Sequence, residues 1–226
     1  MNQMPTVTKN LLIINVLCFA ACVVLEKYNL DFTQLFGLHF ALSEQFQLWQ
    51  PFTYMFMHGG FAHLFFNMFA LWMFGRTLET VWGPKRFLIY YLVCGIGAGF
   101  IQELVQFIQY FVLLPNLQSG DLSAAYSYQV LMQIPTIGAS GAVYGILLAF
   151  GMLFPNERMF IFPLPVPIKA KWFVMAYAAI ELFQGLGASS ADNVAHFAHL
   201  GGMIFGFFLI LYWKRNGQNG RNFFRY

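Results

Sequence analysis

Histidine, serine and asparagine side chains recur inside stretches of the chain that are otherwise apolar. The residues of interest are His63, Asn67, Ser140, His196 and His199. Residues three or four apart lie on one face of a helix, so His63 can act with Asn67. A serine hydroxyl beside an imidazole can be a nucleophile, and further polar donors can stabilise the negative charge that develops on a substrate. The residue types therefore indicate hydrolytic chemistry.

The serine alone is weak evidence, because it lies among glycines that let a neighbouring helix approach closely. These glycines are Gly138, Gly141 and Gly145. The combination is more informative: a hydroxyl, an imidazole at either position 196 or 199, and two donors on a third segment. The spacing predicts no Asp or Glu close enough to complete a triad.

The composition places these residues in a membrane protein. Of 226 residues, 12 are Lys or Arg and 9 are Asp or Glu, so 9% are charged, against about 25% in soluble domains. Apolar residues make up 59% and the mean hydropathy is +0.60. This excess excludes an ordinary soluble domain. The small net charge of +3 argues against a nucleic-acid partner.

Apolar runs predict an all-α polytopic fold with six transmembrane helices in a single membrane domain, residues 1–226. A bilayer crossing needs about 20 apolar residues. The fourth span is short, central and rich in glycine, and residues 27–60 form a first outer loop with aromatic residues suited to the membrane interface. The predicted spans are about 11–26, 61–81, 87–114, 137–153, 172–187 and 194–213.

The cations set the orientation, because cytoplasmic loops are enriched in Lys and Arg. With both termini inside, every lysine and arginine except Lys27 falls on the cytoplasmic side, including Arg221 and Arg225 near the C-terminus. The second, fourth and sixth spans then run from outside to inside. Their polar first turns therefore lie at a common depth below the outer surface.

Four segments carry a family resemblance that covers nearly the whole chain. They are WQPFTYMFMHGGFAHLFFN at 49–67, GRTLETVWG at 75–83, GASGAVYG at 138–145 and AHLGGMIFG at 198–206. Together they resemble the rhomboid family of intramembrane serine proteases. One departure is Gln50, where many members have an arginine after the tryptophan, so arginine-mediated contacts in the first outer loop are absent.

The resemblance implies a role for each matching position. Ser140 corresponds to the nucleophile and, with His63 and Asn67, to the group that stabilises the oxyanion. His199 corresponds to the base, because the pattern AH-x-x-G-x-x-x-G selects it over His196. Tyr144 corresponds to an aromatic residue that packs against the catalytic imidazole.

Two further motifs of the family match this chain. Gly138 opens the GxSG motif before the serine and supports the dyad. Gly75, Glu79 and Gly83 form the GxxxExxxG pattern, a structural feature near the inner end of the second span.

These observations predict a serine endopeptidase with a Ser-His dyad and no cofactor or metal. Its partners are transmembrane protein substrates, cut near their outer ends, and the lipid bilayer. The expected location is a bacterial cytoplasmic membrane, with the active site facing the outer side. The sequence indicates no oligomeric state.

Three alternatives stay open. A metalloprotease could bind zinc through His58, His63, His196 and His199, but HExxH is absent and no acidic residue is expected nearby. A transporter could relay protons through these histidines. An inactive rhomboid-like protein could bind transmembrane helices without cutting them.

Overall fold

The computed structural model describes residues 3–159, 166–187 and 193–216, and they are mainly helical. The helices are α1 (Thr6–Glu26), α2 (Phe32–Phe36), α3 (Gln50–Thr53), α4 (Phe61–Ala70), α5 (Arg76–Trp82), α6 (Pro84–Gln118), α7 (Leu122–Gln133), α8 (Ser140–Leu153), α9 (Ala170–Gly187) and α10 (Asn193–Asn216). A 3-10 turn, Tyr54–Phe56, precedes α4, and a π-helical segment, Leu71–Gly75, joins α4 to α5. Strands β1 (Arg158–Met159) and β2 (Ile168–Lys169) pair antiparallel between α8 and α9.

Helices occupy all six stretches that the sequence predicts as spans. Within the described residues, three helices are long and apolar enough to cross a bilayer: Thr6–Glu26, Pro84–Gln118 and His196–Asn216. The six-span count, the single-domain boundaries and the cytoplasmic termini stay predictions. Arg221 and Arg225 lie outside the described residues.

The third predicted span was expected to end at residue 114, but α6 continues through Pro115 to Gln118. A proline lacks an N–H and removes one helical hydrogen bond, a loss that is tolerable so close to the end of a helix. The helix ends at a turn in which Gly120 has φ +81°, a conformation that favours glycine. Asp121 then begins α7 by accepting hydrogen bonds from the backbone N–H groups of Ser123 and Ala124.

Helix α8 lies at the centre of the bundle, with most of its residues buried against α6 and α10. Glycines allow this close packing. A Cβ on Gly145 would overlap Cys94 of α6, and one on Gly202 of α10 would overlap the backbone of Gly141. The backbones of α8 and α10 are therefore in contact beside the first turn of α8, which brings residue 199 close to residue 140.

Glu79 of α5 holds the beginning of α1 against its own helix. Its carboxylate accepts hydrogen bonds from the Val7 N–H at 2.9 Å, the Thr8 N–H at 2.7 Å and the Thr8 hydroxyl at 2.7 Å. These N–H groups have no partner inside their own helix, because the first turn of a helix leaves its donors free. The carboxylate also interacts favourably with the positive end of the helix dipole. The structural role expected for Glu79 therefore has a physical basis.

We expect Glu79→Ala to lower the free energy of unfolding by roughly 3 kcal/mol, because it leaves buried donors unsatisfied. Glu79→Gln should lose less, since the amide oxygen still accepts a hydrogen bond. Thermal unfolding of the protein in detergent measures both effects. Glu44→Ala, which removes an exposed carboxylate, is the control. Equal unfolding temperatures for Glu79→Ala and Glu44→Ala would contradict the capping role.

Candidate active site

The loop of residues 27–60 fixes the segment that leads into α8. Leu38 and Thr136 exchange two backbone hydrogen bonds, of 2.9 and 2.8 Å, and the Gly138 N–H donates to the Tyr54 carbonyl at 3.0 Å. Gly138 has φ +127°, which an L side chain rarely adopts. This conformation turns the chain so that Ser140 becomes the first residue of α8.

Gln50 organises the same loop from its interior. It is fully buried, and its amide oxygen accepts hydrogen bonds from the N–H groups of His39 and Gln47. Its amide nitrogen donates to the carbonyls of Leu35 and Gln45. A neutral amide therefore connects four points of the loop.

Ser140 and His199 lie in direct contact. The Nε2 atom of His199 is 2.8 Å from the Ser140 hydroxyl oxygen, a hydrogen-bond distance. Tyr144 lies one turn after the serine, and its ring stacks on the His199 ring with centroids 4.2 Å apart and planes 5° from parallel. The structure thus brings together three residues that the sequence motifs single out.

His63 faces the serine from α4. An ideal Cβ on Gly138 would lie 2.8 Å from His63 Nε2 and 3.5 Å from the Ser140 hydroxyl oxygen. The missing side chain of Gly138 therefore leaves a small space between these two polar atoms. The other ring nitrogen of His63, Nδ1, accepts a long hydrogen bond of 3.5 Å from the Gly59 N–H. This pairing assigns the proton to Nε2, so that His63 presents a donor to the space.

Asn67 lies one turn after His63 and is buried. Its amide nitrogen donates one hydrogen bond, of 2.9 Å, to the His63 carbonyl. An amide nitrogen carries two hydrogens, so a second N–H stays available to another acceptor.

Ser140, Tyr144, His63 and Asn67 line a cavity of about 780 Å³ that also reaches Phe173 and Tyr177 of α9. Its walls are mainly apolar, with the polar groups grouped at the serine. Such a cavity can accept an extended peptide segment in a membrane setting, where irregular backbone is tolerated only next to protein or water.

His58 packs against His63 with ring centroids 5.0 Å apart. It lies in the loop before α4 and is buried. Burial, together with the smaller effect of the neighbouring His63, lowers the pKa of His58 to about 4. His58 is therefore neutral at physiological pH and keeps positive charge away from the His63 ring.

The expectation that no acidic residue lies near the imidazole is wrong. Glu181 of α9 is buried, and its Oε2 atom is 3.1 Å from His199 Nδ1 and 2.6 Å from His196 Nδ1. The Tyr144 hydroxyl donates to the other carboxylate oxygen, Oε1. The contact with His199 is close, but it lacks the alignment of a regular hydrogen bond.

The sequence motifs do not single out Glu181, because motif spacing relates residues only within one helix. One signal was available. An acidic residue inside a predicted span generally faces the bundle interior. Gly185, one turn later on the same face, lies close to α10, since a Cβ at this position would be 3.2 Å from the Phe197 ring and 3.4 Å from His196 Cβ.

The four histidines of the zinc alternative fall into two pairs, His58 with His63 and His196 with His199. Among the described residues, the side chains close enough to share a metal ion are Glu181, His196 and His199. This set differs from the four histidines that the sequence suggested as zinc ligands. It includes an acidic residue, Glu181, whereas no acidic residue was expected near these histidines.

Comparisons with known proteins agree with the motifs. The Rhomboid domain model matches residues 45–216. The chain is 32% identical over 169 residues to the rhomboid protease GluP of Bacillus subtilis, covering 74% of this chain and 26% of that protein. It is 31% identical over 152 residues to the mitochondrial rhomboid protein 1 of Saccharomyces cerevisiae, covering 67% and 38%. It is 28% identical over 179 residues to the rhomboid protease AarA of Providencia stuartii, covering 76% and 58%. The chain thus spans less than two thirds of the length of each of these curated relatives.

Proposed function

Because the chain belongs to the rhomboid family of intramembrane proteases, we propose that it is a serine endopeptidase that cuts transmembrane segments of other membrane proteins near their outer ends. The observation that carries this proposal is the 2.8 Å contact between His199 Nε2 and the Ser140 hydroxyl at the edge of a cavity large enough for a peptide. Relatives named as rhomboid proteases support the same activity.

The reaction follows from the positions of the side chains. The Ser140 oxygen attacks the carbonyl carbon of the scissile peptide bond, while its proton passes to His199 Nε2. The carbonyl electron pair moves onto oxygen. His199 then gives the proton to the leaving amine as the C–N bond breaks, and a covalent acyl-enzyme results. Water later releases the acid product by the same steps, with His199 again acting as the base.

His63, Asn67 and the Ser140 backbone N–H are the groups that would hold the oxyanion. Each such donor contributes about 10²–10³-fold in rate. The positive end of the α8 dipole adds to this effect at residue 140. Tyr144 keeps the His199 ring in its plane by stacking, and Gly138 leaves open the space that the oxyanion would fill.

Cleavage requires a substrate segment that can unwind, because a helix conceals its carbonyls in its own hydrogen bonds. We place the chain in a bacterial cytoplasmic membrane as a single six-span domain with both termini inside and the active site toward the outer side. The enrichment of lysine and arginine in the predicted inner segments supports this orientation. The dyad chemistry uses no cofactor and no metal.

Covalent labelling with a fluorophosphonate tests the function directly. We expect the detergent-solubilised chain to be labelled at residue 140, as located by mass spectrometry, and to cut a reconstituted transmembrane substrate. Ser140→Ala should abolish both results, whereas the exposed-site control Ser119→Ala should retain them. A chain that binds the substrate without labelling or cleavage would contradict the proposal and favour the inactive helix-binding alternative.

A further inference from the structure

Glu181 is a buried carboxylate beside the catalytic histidine, and it has only 5% of its surface exposed. A carboxylate in such a place is costly unless polar partners surround it. Three polar groups do so: the Tyr144 hydroxyl donates to Oε1, and the Nδ1 atoms of His196 and His199 lie 2.6 and 3.1 Å from Oε2. Tyr144 lies on α8 and both histidines lie on α10, the two helices that carry the proposed dyad.

The proton on His199 must lie on a particular nitrogen for the proposed chemistry. Nε2 faces the serine at 2.8 Å, and it can accept the serine proton only if the neutral ring carries its own proton on Nδ1. Nδ1 faces Glu181 Oε2 at 3.1 Å. A carboxylate favours an N–H at this position and repels a lone pair, so it selects the reactive tautomer.

The same carboxylate favours the positively charged ring that forms after proton transfer, because opposite charges attract strongly in a site with little water. The imperfect alignment of the Nδ1 contact fits a resting enzyme, in which catalytic hydrogen bonds are often long and tighten when substrate binds. Tyr144 links His199 to Glu181, since its ring stacks on the His199 ring while its hydroxyl donates a hydrogen bond to Glu181 Oε1.

We infer that Glu181 is a positioning residue of this protease, which orients His199 and stabilises its protonated ring so that the dyad works as a Ser-His-Glu triad. This inference rests on the proposed function. The groups that face His199 are Glu181 of α9, His196 of α10, Tyr144 of α8 and His63 of α4. Among them, Glu181 is the one that carries a negative charge.

Glu181→Gln preserves the shape of the side chain and removes its charge. We expect kcat to fall by about 10²-fold while KM stays near the value of the parent chain, because substrate binding does not involve residue 181. His196→Gln is the comparison variant, since it alters the other partner of Oε2 and leaves the contact between Glu181 and His199 in place. Its kcat should fall much less than that of Glu181→Gln, and thermal unfolding should show both variants folded.

A second measurement does not depend on proteolysis. Nitrogen-15 spectra of labelled histidine report which ring nitrogen carries the proton. His199 should be the Nδ1–H tautomer in both the parent chain and Ser140→Ala, and it should lose that preference in Glu181→Gln. If the parent chain is neither labelled nor able to cleave the substrate, the proposed function is rejected. The spectra would still test whether Glu181 sets the tautomer of His199.

Three results would overturn the inference, and the first two of them would leave the proposed function intact. The first is an unchanged kcat in Glu181→Gln with an unchanged tautomer. The second is an equal loss of kcat in His196→Gln, which would show that the cluster acts only by holding α9 against α10. The third is cleavage that slows with a zinc chelator in the parent chain but not in Glu181→Gln, which would show that the cluster holds a metal ion.

Discussion

Ser140→Ala and His199→Ala are each expected to lower kcat for cleavage of a transmembrane substrate by at least about 10³-fold. Without Ser140 no acyl-enzyme can form. Without His199 the serine keeps its proton and is a weak nucleophile at neutral pH. Product formation in proteoliposomes, followed at substrate concentrations above and below KM, measures the loss.

The double variant gives the sharper test of this pair. When two residues act as one unit, removing either one removes most of the catalytic contribution of both. The double variant Ser140→Ala/His199→Ala should therefore be about as slow as either single variant. Losses that multiply in the double variant would show that the two side chains act independently. Substantial cleavage by either single variant would refute the dyad.

The sequence predicted the helices and the polar cluster because both follow from local rules. Apolar runs placed helices at six stretches, and the alternating direction of the spans placed His63, Ser140 and His199 at one depth. The glycines beside the serine, Gly138, Gly141 and Gly145, also predicted the close approach of a neighbouring helix. The structure shows that these glycines lie at contacts with α4, α6 and α10, so the motif residues of the site needed no long-range information.

Glu181 and the end of α6 could not be predicted in the same way. Whether Glu181 reaches His199 depends on how α9 packs against α10. The rotation of α9 about its own axis is determined by many weak contacts, including the close approach of Gly185 to Phe197. The end of α6 differs for a local reason, because the residue before a proline usually marks a helix boundary and here α6 continues three residues beyond Pro115. The position of Glu181 is decided by tertiary packing, which a residue pattern within one segment does not encode.

The second large effect is expected at the oxyanion position, where His63→Leu should lower kcat by about 10²–10³-fold with little change in KM. Its Nε2 donor strengthens its interaction only as charge develops on the substrate oxygen, so its loss raises the energy of the transition state more than that of the bound substrate. Asn67→Leu should also lower kcat, but by a smaller factor, because one N–H of Asn67 already donates to a carbonyl within α4. Kinetics in proteoliposomes separate kcat from KM, and labelling of Ser140 should follow the same order.

Gly138→Ala tests the space itself, because its methyl group would enter the gap between His63 Nε2 and the Ser140 hydroxyl. We expect a loss at least as large as that of His63→Leu, since the variant blocks the oxyanion and disturbs a backbone with φ +127°. Gly120→Ala is the control, because Gly120 has φ +81° at the turn between α6 and α7, with no atoms near its Cβ position. It also places an alanine at a positive φ, but it does not fill the site. If Gly138→Ala cleaved as fast as Gly120→Ala, the space beside Ser140 could not be where the oxyanion forms, and the donors on α4 would have to act elsewhere.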